Sequence, residues 1–164
     1  MIIRKATSED LNAVCSIYNY AIVNTAATFD TEEKSPEYFM EFINNSEFFH
    51  YLCVAIDNGI VTGFAGLYPF SRRKAYAGLS ELTCYVNPEY HGQSLGTEMC
   101  RHVNDYAEHS GLNTVLALFN SNNTPMRKIC EHLGYTPRGE MVEVAFKQGQ
   151  YQSLKIYQKH FRRK

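Results

Sequence analysis

Apolar and polar positions recur along this chain with two different periods, and the switches between them mark out its elements. Residues 2–6, IIRKA, form a short strand candidate. Leu11, Val14, Cys15, Ile17, Tyr18 and Ile22 then recur every three or four residues, which predicts a helix running to about Thr25. Thr7 marks its start, with Asp10 three residues on to reach back to the cap. AATFDTE breaks the pattern. Ser35 and Pro36 open a second helix, SPEYFMEFINN, because proline suits a first helical turn. YLCVAI reads as a strand, DNG as a hairpin turn, and IVTGFAGLYPF as the returning antiparallel strand. A basic loop, SRRKAYAG, leads into the strand LSELTCYV. A helix is expected from about Ser94 to Ser110, stopped by Gly111. TVLALF is a strand, and Asn122 to His132 is a helix closed by HLGY. EMVEVAFK and QSLKIYQK, around a KQGQ turn, are two final strands. The order βαα, ββ, β, α, β, α, ββ predicts an α/β fold, with four helices flanking a mixed central sheet of about six to seven strands.

Length and composition narrow the class. At 164 residues, with no linker, repeat or low-complexity segment, the chain is expected to form one domain, 1–164. A formal charge of -1 offers no global field for nucleic acid or an anionic membrane. The basic tail HFRRK reads as a solvated end. No run of 18 apolar residues is present, and MIIRKATSED turns charged too early for a signal peptide. The five cysteines, at 15, 53, 84, 100 and 130, sit in apolar surroundings without a CxxC. They are expected to be reduced core residues of a cytoplasmic protein. Six scattered histidines give no paired ligand spacing, so no metal is expected.

Two stretches carry candidate chemistry. YHGQSLGTEM links an apolar strand to a helix start. Free N–H groups and a partial positive charge gather at such a start and favour an anion. Gly92 and Gly96 would let the backbone approach it closely. Glu81 interrupts the strand LSELTCYV where alternation favours an apolar or small residue. Flanked by Leu79, Leu82 and Cys84, its carboxylate should be partly desolvated and its pKa raised toward neutrality, as a general base requires.

In the order in which they occur, these motifs resemble the GNAT acetyltransferases, and within them the phosphinothricin acetyltransferase-like subgroup. HGQSLG, residues 91–96, stands where the family has R/Q-x-x-G-x-G/A. NNTPMRKICEHLGY fits its late helix. IYNYAIVNTAATFDTE, AGLYPFSRRKAY and ELTCYV are similar to the subgroup's markers. The resemblance spans Ile3 to Tyr157. It implies a GNAT fold and acetyl-CoA as co-substrate, its pyrophosphate wrapped by the backbone of His91, Gly92, Gln93, Ser94, Leu95 and Gly96. It implies that the strand before this loop splays from its neighbour, so that amides near Tyr85 and Val86 face the thioester. Asn123 either contacts coenzyme A, as the family asparagine does, or caps the late helix, a role Asn122 would fill equally well.

The resemblance also assigns Glu81 as base for direct acetyl transfer to the amine of a small amino-acid-like substrate of the phosphinothricin or methionine sulfoximine type. Phe29 and Thr31 on one side, and Phe70, Arg72, Arg73 and Tyr76 on the other, stand in the subgroup's two substrate segments. A homodimer is implied as well. The chain departs from the pattern at four places. His91 replaces arginine or glutamine, and Ser94 replaces a glycine. Cys130 stands where many relatives carry a tyrosine general acid, leaving Tyr85, Tyr135 and Tyr157 as other donors. KQGQYQ replaces K-F/H-G-x-W with an acidic residue or histidine soon after, with Gln148, Tyr151 and Gln152 at the changed positions, in a hairpin that the resemblance places near the substrate and the dimer contact. Competing readings are an acyl-CoA-binding module without turnover, and a peptide or protein N-acetyltransferase. Tyr38, Phe39, Phe42, Phe48 and Phe49 either fill the core or form a partner face.

Overall fold

The computed structural model describes residues 1–45 and 50–161; Phe48, Phe49 and the last three residues of the basic tail lie outside them. Seven strands form one mixed sheet in the order β1-β2-β3-β4-β5-β7-β6. They are β1 (Ile2–Lys5), β2 (Tyr51–Asp57), β3 (Ile60–Pro69), β4 (Leu79–Val86), β5 (Thr114–Asn120), β6 (Thr136–Lys147) and β7 (Gln150–His160). The four α-helices are α1 (Leu11–Asn24), α2 (Met40–Asn44), α3 (Leu95–Ser110) and α4 (Thr124–His132). Every neighbouring pair is antiparallel except β4–β5. The expected element order is the observed one.

Local chemistry sets the boundaries. The Thr7 N–H donates to Asp10 Oδ2 at 2.8 Å, and Arg4 grips the same carboxylate with two bonds of 2.8 and 3.0 Å, tying β1 to the helix start. Asn58 and Gly59 both take positive φ, as do Gln148 and Gly149, which is the backbone a two-residue hairpin turn demands. The second helix is shorter than its sequence suggests: Pro36–Phe39 winds as a 3-10 segment, and only Met40–Asn44 is α-helical. β6 begins earlier than expected, at Thr136. Its Pro137 is tolerated because β6 lies at the sheet edge, and the register slips between Pro137 and Gly139.

The sheet separates two apolar cores. On one face Leu82, Cys84, Val115, Ala117 and Phe119 pack beneath Leu95, Met99, Cys100 and Val103 of α3 and Cys130 of α4. On the other, Val14, Ile17, Tyr18 and Ile22 of α1 join Phe39, Leu52, Val54 and Phe64, with Tyr85 against them. Strand alternation therefore places Glu81 and Thr83 on the α1 face with Tyr85. Phe39 belongs to this core, Phe42 packs against it, and Tyr38 is half exposed.

Candidate active site

The pairing of β4 changes partway along its length. Toward β3 it is paired throughout, from Pro69↔Ser80 to Gly63↔Val86. Toward β5 it is paired at only three positions, Leu79↔Thr114, Ser80↔Val115 and Glu81↔Leu116, after which the strands part. Leu79 O accepts from Phe70 N–H on the β3 side, and Gly78 O accepts from Asn113 and Thr114 N–H on the β5 side. Backbone groups alternate sides along a strand. Even positions of β4 therefore turn toward β5; the Leu82 amide makes the last rung at Glu81↔Leu116, and the amides of Cys84 and Val86 face the gap. The Tyr85 amide turns to β3, so of the two amides expected at the thioester, Val86 faces the opening.

Glu81 stands at the vertex of this V, on the α1 face. Burial raises its carboxyl pKa, and the nearby Tyr68 hydroxyl opposes part of that rise. Tyr68 is its direct cross-strand partner. Burial and the neighbouring carboxylate push the Tyr68 phenol far up, so it stays a neutral donor. Leu79, Leu116, Tyr76 and Gln158 bound a hollow of about 580 Å³ beside the vertex.

Beyond β4, the loop from His91 to Ser94 lies exposed at the N-terminus of α3, and Leu95 is buried beneath it. His91 folds back, its Nε2 3.0 Å from Val86 O, where it donates. Gly92 takes φ 80° in open surroundings, so its conformation is what calls for glycine. Gly96 answers a different need: a Cβ there would come 3.1 Å from Ile129 Cδ1 and 3.7 Å from Cys84 Sγ, so it lets α3 pack close to α4 and β4. Ser94 is the helix N-cap in the left-handed region at φ 59°, a conformation that costs a non-glycine residue roughly 1–2 kcal/mol. Its side chain makes no capping bond. Asn123 caps α4, with Oδ1 accepting from Met126 N–H at 3.1 Å. Asn122 does not fill that role.

The alternative proton donors are engaged elsewhere. The Tyr135 hydroxyl donates to Asn104 Oδ1 at 2.7 Å in the core, and Tyr157 donates to Glu131 at 3.0 Å. The Tyr85 hydroxyl points to Ala27 O at 3.5 Å. Cys130 is fully buried, and burial pushes its thiol up to about 12.

The two expected substrate segments are placed separately. Phe70 and Tyr76 meet edge-on with centroids 5.4 Å apart, and both are exposed. Arg72 and Arg73 project from the same loop, and among the described residues neither forms an ion pair. Phe29 is half buried and Thr31 exposed on the α1–α2 loop. Among the described residues no hydrogen bond or ring contact joins them to segment 70–76. Tyr68, Asn120 and Lys147 were not singled out from sequence. Tyr68 meets Glu81 only through strand register, and Asn120 reaches Gln152 of the final hairpin across 32 residues. Among the described residues no His, Cys, Asp and Glu cluster suits a metal, and no helix is long and apolar enough to cross a membrane.

A mixed sheet that opens into a V in front of a phosphate-binding type of helix start defines a class of acyl-transfer protein, and the comparisons agree. Residues 1–136 match the family model described as an acetyltransferase (GNAT) domain. The chain is 31% identical over 159 residues to a phosphinothricin N-acetyltransferase of Streptomyces viridochromogenes, covering 97% of this chain and 87% of that one. It is 27% identical to an L-methionine sulfoximine/L-methionine sulfone acetyltransferase of Salmonella typhimurium, over 96% and 92% of the two chains. Among solved structures, yncA of Salmonella typhimurium, solved with its cofactor acetyl-CoA, superposes with a TM-score of 0.92 at 25% identity, covering 98% and 94%. The chain belongs to the GNAT family and is an acetyl-CoA-dependent N-acetyltransferase.

Proposed function

We propose that this chain transfers the acetyl group of acetyl-CoA directly to the primary amine of a small amino-acid-like substrate, of the phosphinothricin or methionine sulfoximine type, with Glu81 as general base. The observation that carries this is the V: pairing between β4 and β5 stops at Glu81, so a raised-pKa carboxylate and a row of free amides share one opening. Acetyl-CoA supplies an activated carbonyl there. The 91–96 backbone, exposed from His91 to Ser94, and the α3 N-terminus suit its pyrophosphate, and Asn123, whose Oδ1 caps α4, is left its Nδ2 for a further contact. The amides of Val86 and Cys84 suit the carbonyl oxygen as charge grows on it, an interaction worth ~3 kcal/mol where donors are already in place. Glu81 takes the proton of the attacking amine, and Tyr68 holds the carboxylate in register. The leaving thiol has an ordinary pKa of about 8.5, so departure as thiolate needs no strong acid, which suits a site whose Cys130 is locked in the core.

Arg72 and Arg73, beside Phe70 and Tyr76, are suited to an anionic substrate group, with Phe29 and Thr31 closing the site from the α1–α2 loop. The names of the two relatives support the substrate class. The whole chain acts as one unit, since residues beyond 136 complete the same sheet. Five free thiols suit a reducing cytoplasmic compartment. The exposed apolar hairpin of β6 and β7 suits a homodimer.

The buried Cys130 and left-handed Ser94 favour a second reading, an acyl-CoA-binding module without turnover. Free-thiol release from acetyl-CoA, with phosphinothricin and methionine sulfoximine as amines, separates the two. Turnover that Glu81→Gln abolishes supports the enzyme. Acetyl-CoA binding without turnover on either amine supports the module.

A further inference from the structure

Three successive backbone carbonyls of the α1–α2 loop are each met by a side chain from a different strand. Ala26 O accepts from Asn120 Nδ2 of β5 at 2.9 Å, Ala27 O faces the Tyr85 hydroxyl of β4 at 3.5 Å, and Thr28 O accepts from Lys147 Nζ of β6 at 2.7 Å. Behind them, Gln152 of β7 accepts from Asn120 Nδ2 at 3.1 Å and donates to Lys147 O at 3.1 Å. Asn120, Lys147 and Gln152 are only 4%, 8% and 3% exposed. β4 is one arm of the V; β5, β7 and β6 form the other. The loop therefore bridges the mouth of the V, and its last carbonyl held this way immediately precedes Phe29.

Lys147 is an unusual choice for this place. A buried ammonium is costly unless it is paired; Lys147 bonds the neutral Thr28 carbonyl, and burial lowers its pKa while the Asp30 carboxylate of the same loop opposes part of that fall. A core methionine would fill the volume without that cost. What the lysine adds is reach and direction: it fixes one carbonyl 119 residues away in sequence. The other side of the loop is fixed independently, since the Thr28 hydroxyl is 2.9 Å from Tyr18 Oη, and Tyr18 also donates to Asp30.

We propose that Lys147, backed by Gln152 and Asn120, is a positioning residue for the amine site: it straps the 25–31 loop across the V, so that Phe29 and Thr31 are held at a set distance from Glu81. This rests on reading that loop as part of the amine site. The contacts proposed for acetyl-CoA lie on the 91–96 loop, α3 and β4, and Lys147 bonds none of them. Its loss should therefore fall on the amine.

The test uses the full chain and three variants. Lys147→Met keeps length and removes the donor, Lys147→Arg keeps a donor, and Gln152→Met removes the support behind both donors. Backbone hydrogen exchange is followed in the loop and in α3, beside steady-state kinetics. Lys147→Met should speed exchange of residues 25–31 by about tenfold while α3 is unchanged, because only local opening is made easier. It should raise the amine KM by about tenfold or more and leave the acetyl-CoA KM within about twofold, since a small misplacement far from the reacting atoms is enough. Lys147→Arg should recover most of both effects. Should Lys147→Met fail to fold, Gln152→Met carries the same comparison. Unchanged loop exchange, or a parallel rise in both KM values, overturns the strap. If the native chain acetylates no amine, it is the proposed function that fails, and the exchange measurement alone still decides whether Lys147 holds the loop.

Discussion

Glu81 and Tyr68 face each other across β3 and β4, and their roles make opposite demands on the carboxylate proton. Burial favours the neutral form and the tyrosine hydroxyl favours the charged one, with burial the larger, so the carboxylate is more basic than an ordinary one, as the proposed role of base requires. Glu81→Gln should lower kcat by about 10²–10⁴, the usual worth of a general base, while acetyl-CoA binding measured by calorimetry stays near native. Tyr68→Phe tests the pair through pH. The base works deprotonated, so kcat/KM falls as pH drops through its pKa. Without the hydroxyl that pKa rises further, and the acid limb should move to higher pH while the alkaline plateau changes little. A limb that stays in place would remove Tyr68 from the site. Glu81 was legible in the sequence because a carboxylate broke an apolar alternation. Tyr68 was not, since LYPF gives no register, and the loop joining β3 to β4 does not fix which residues end up opposite. Lys147 was hidden for a related reason: the KQGQ turn names no partner for it, and only the fold brings it to Thr28.

At the scale of elements, period and punctuation recovered most of what is observed. Pro, Gly, Asn and Thr marked the ends, and the alternating segments became strands. The errors fell where tertiary contacts outweigh local preference. The helix expected over residues 35–45 became a 3-10 segment, Pro36–Phe39, and a short α segment, Met40–Asn44, and β6 took in Thr136 to Gly139 because edge pairing with β7 tolerates proline. The coenzyme loop also separates two glycine roles that looked alike. Gly96→Ala places a Cβ 3.1 Å from the flexible end of Ile129 while alanine gains about 1 kcal/mol of helix propensity, so the two nearly cancel and Tm should stay within a few degrees of native in calorimetry. Ser94→Gly removes left-handed strain and a Cβ from the anion side, so the acetyl-CoA KM should fall. An unchanged KM would mean that the serine is already accommodated. At the other end of the sheet, Arg4 holds the Asp10 pKa below its ordinary value. The stability this gives is present above the ordinary carboxylate pKa of about 3.9 and is lost as pH falls through the lower native value. The gap in stability between native protein and Asp10→Asn should therefore close in acid, as denaturant titrations at neutral and low pH would record.

The whole molecule has one face that its own fold does not explain. β6 is an edge strand, and Met141, Val142, Val144 and Phe146 on it are exposed, with Phe146 against an equally exposed Tyr151 of β7. An apolar edge of this kind invites pairing, and the usual protections are charges, proline or cover by another element. Here Pro137 and the register slip between Met141 and Ala145 interrupt the strand, but the end near the turn stays apolar. On that same hairpin Lys147 and Gln152 point to the opposite side, into the loop strap, so whatever covers Phe146 also steadies the amine site from behind. The homodimer proposed above would bury the same patch on both copies, as a two-fold interface requires. Light scattering behind size exclusion should then give twice the 18.8 kDa chain mass for the native protein. Phe146→Glu with Tyr151→Glu should give the single-chain mass, and should also raise the amine KM more than the acetyl-CoA KM. A native protein that runs as a monomer at micromolar concentration would end this reading. It would leave the V, the base and the strap to be judged on their own measurements.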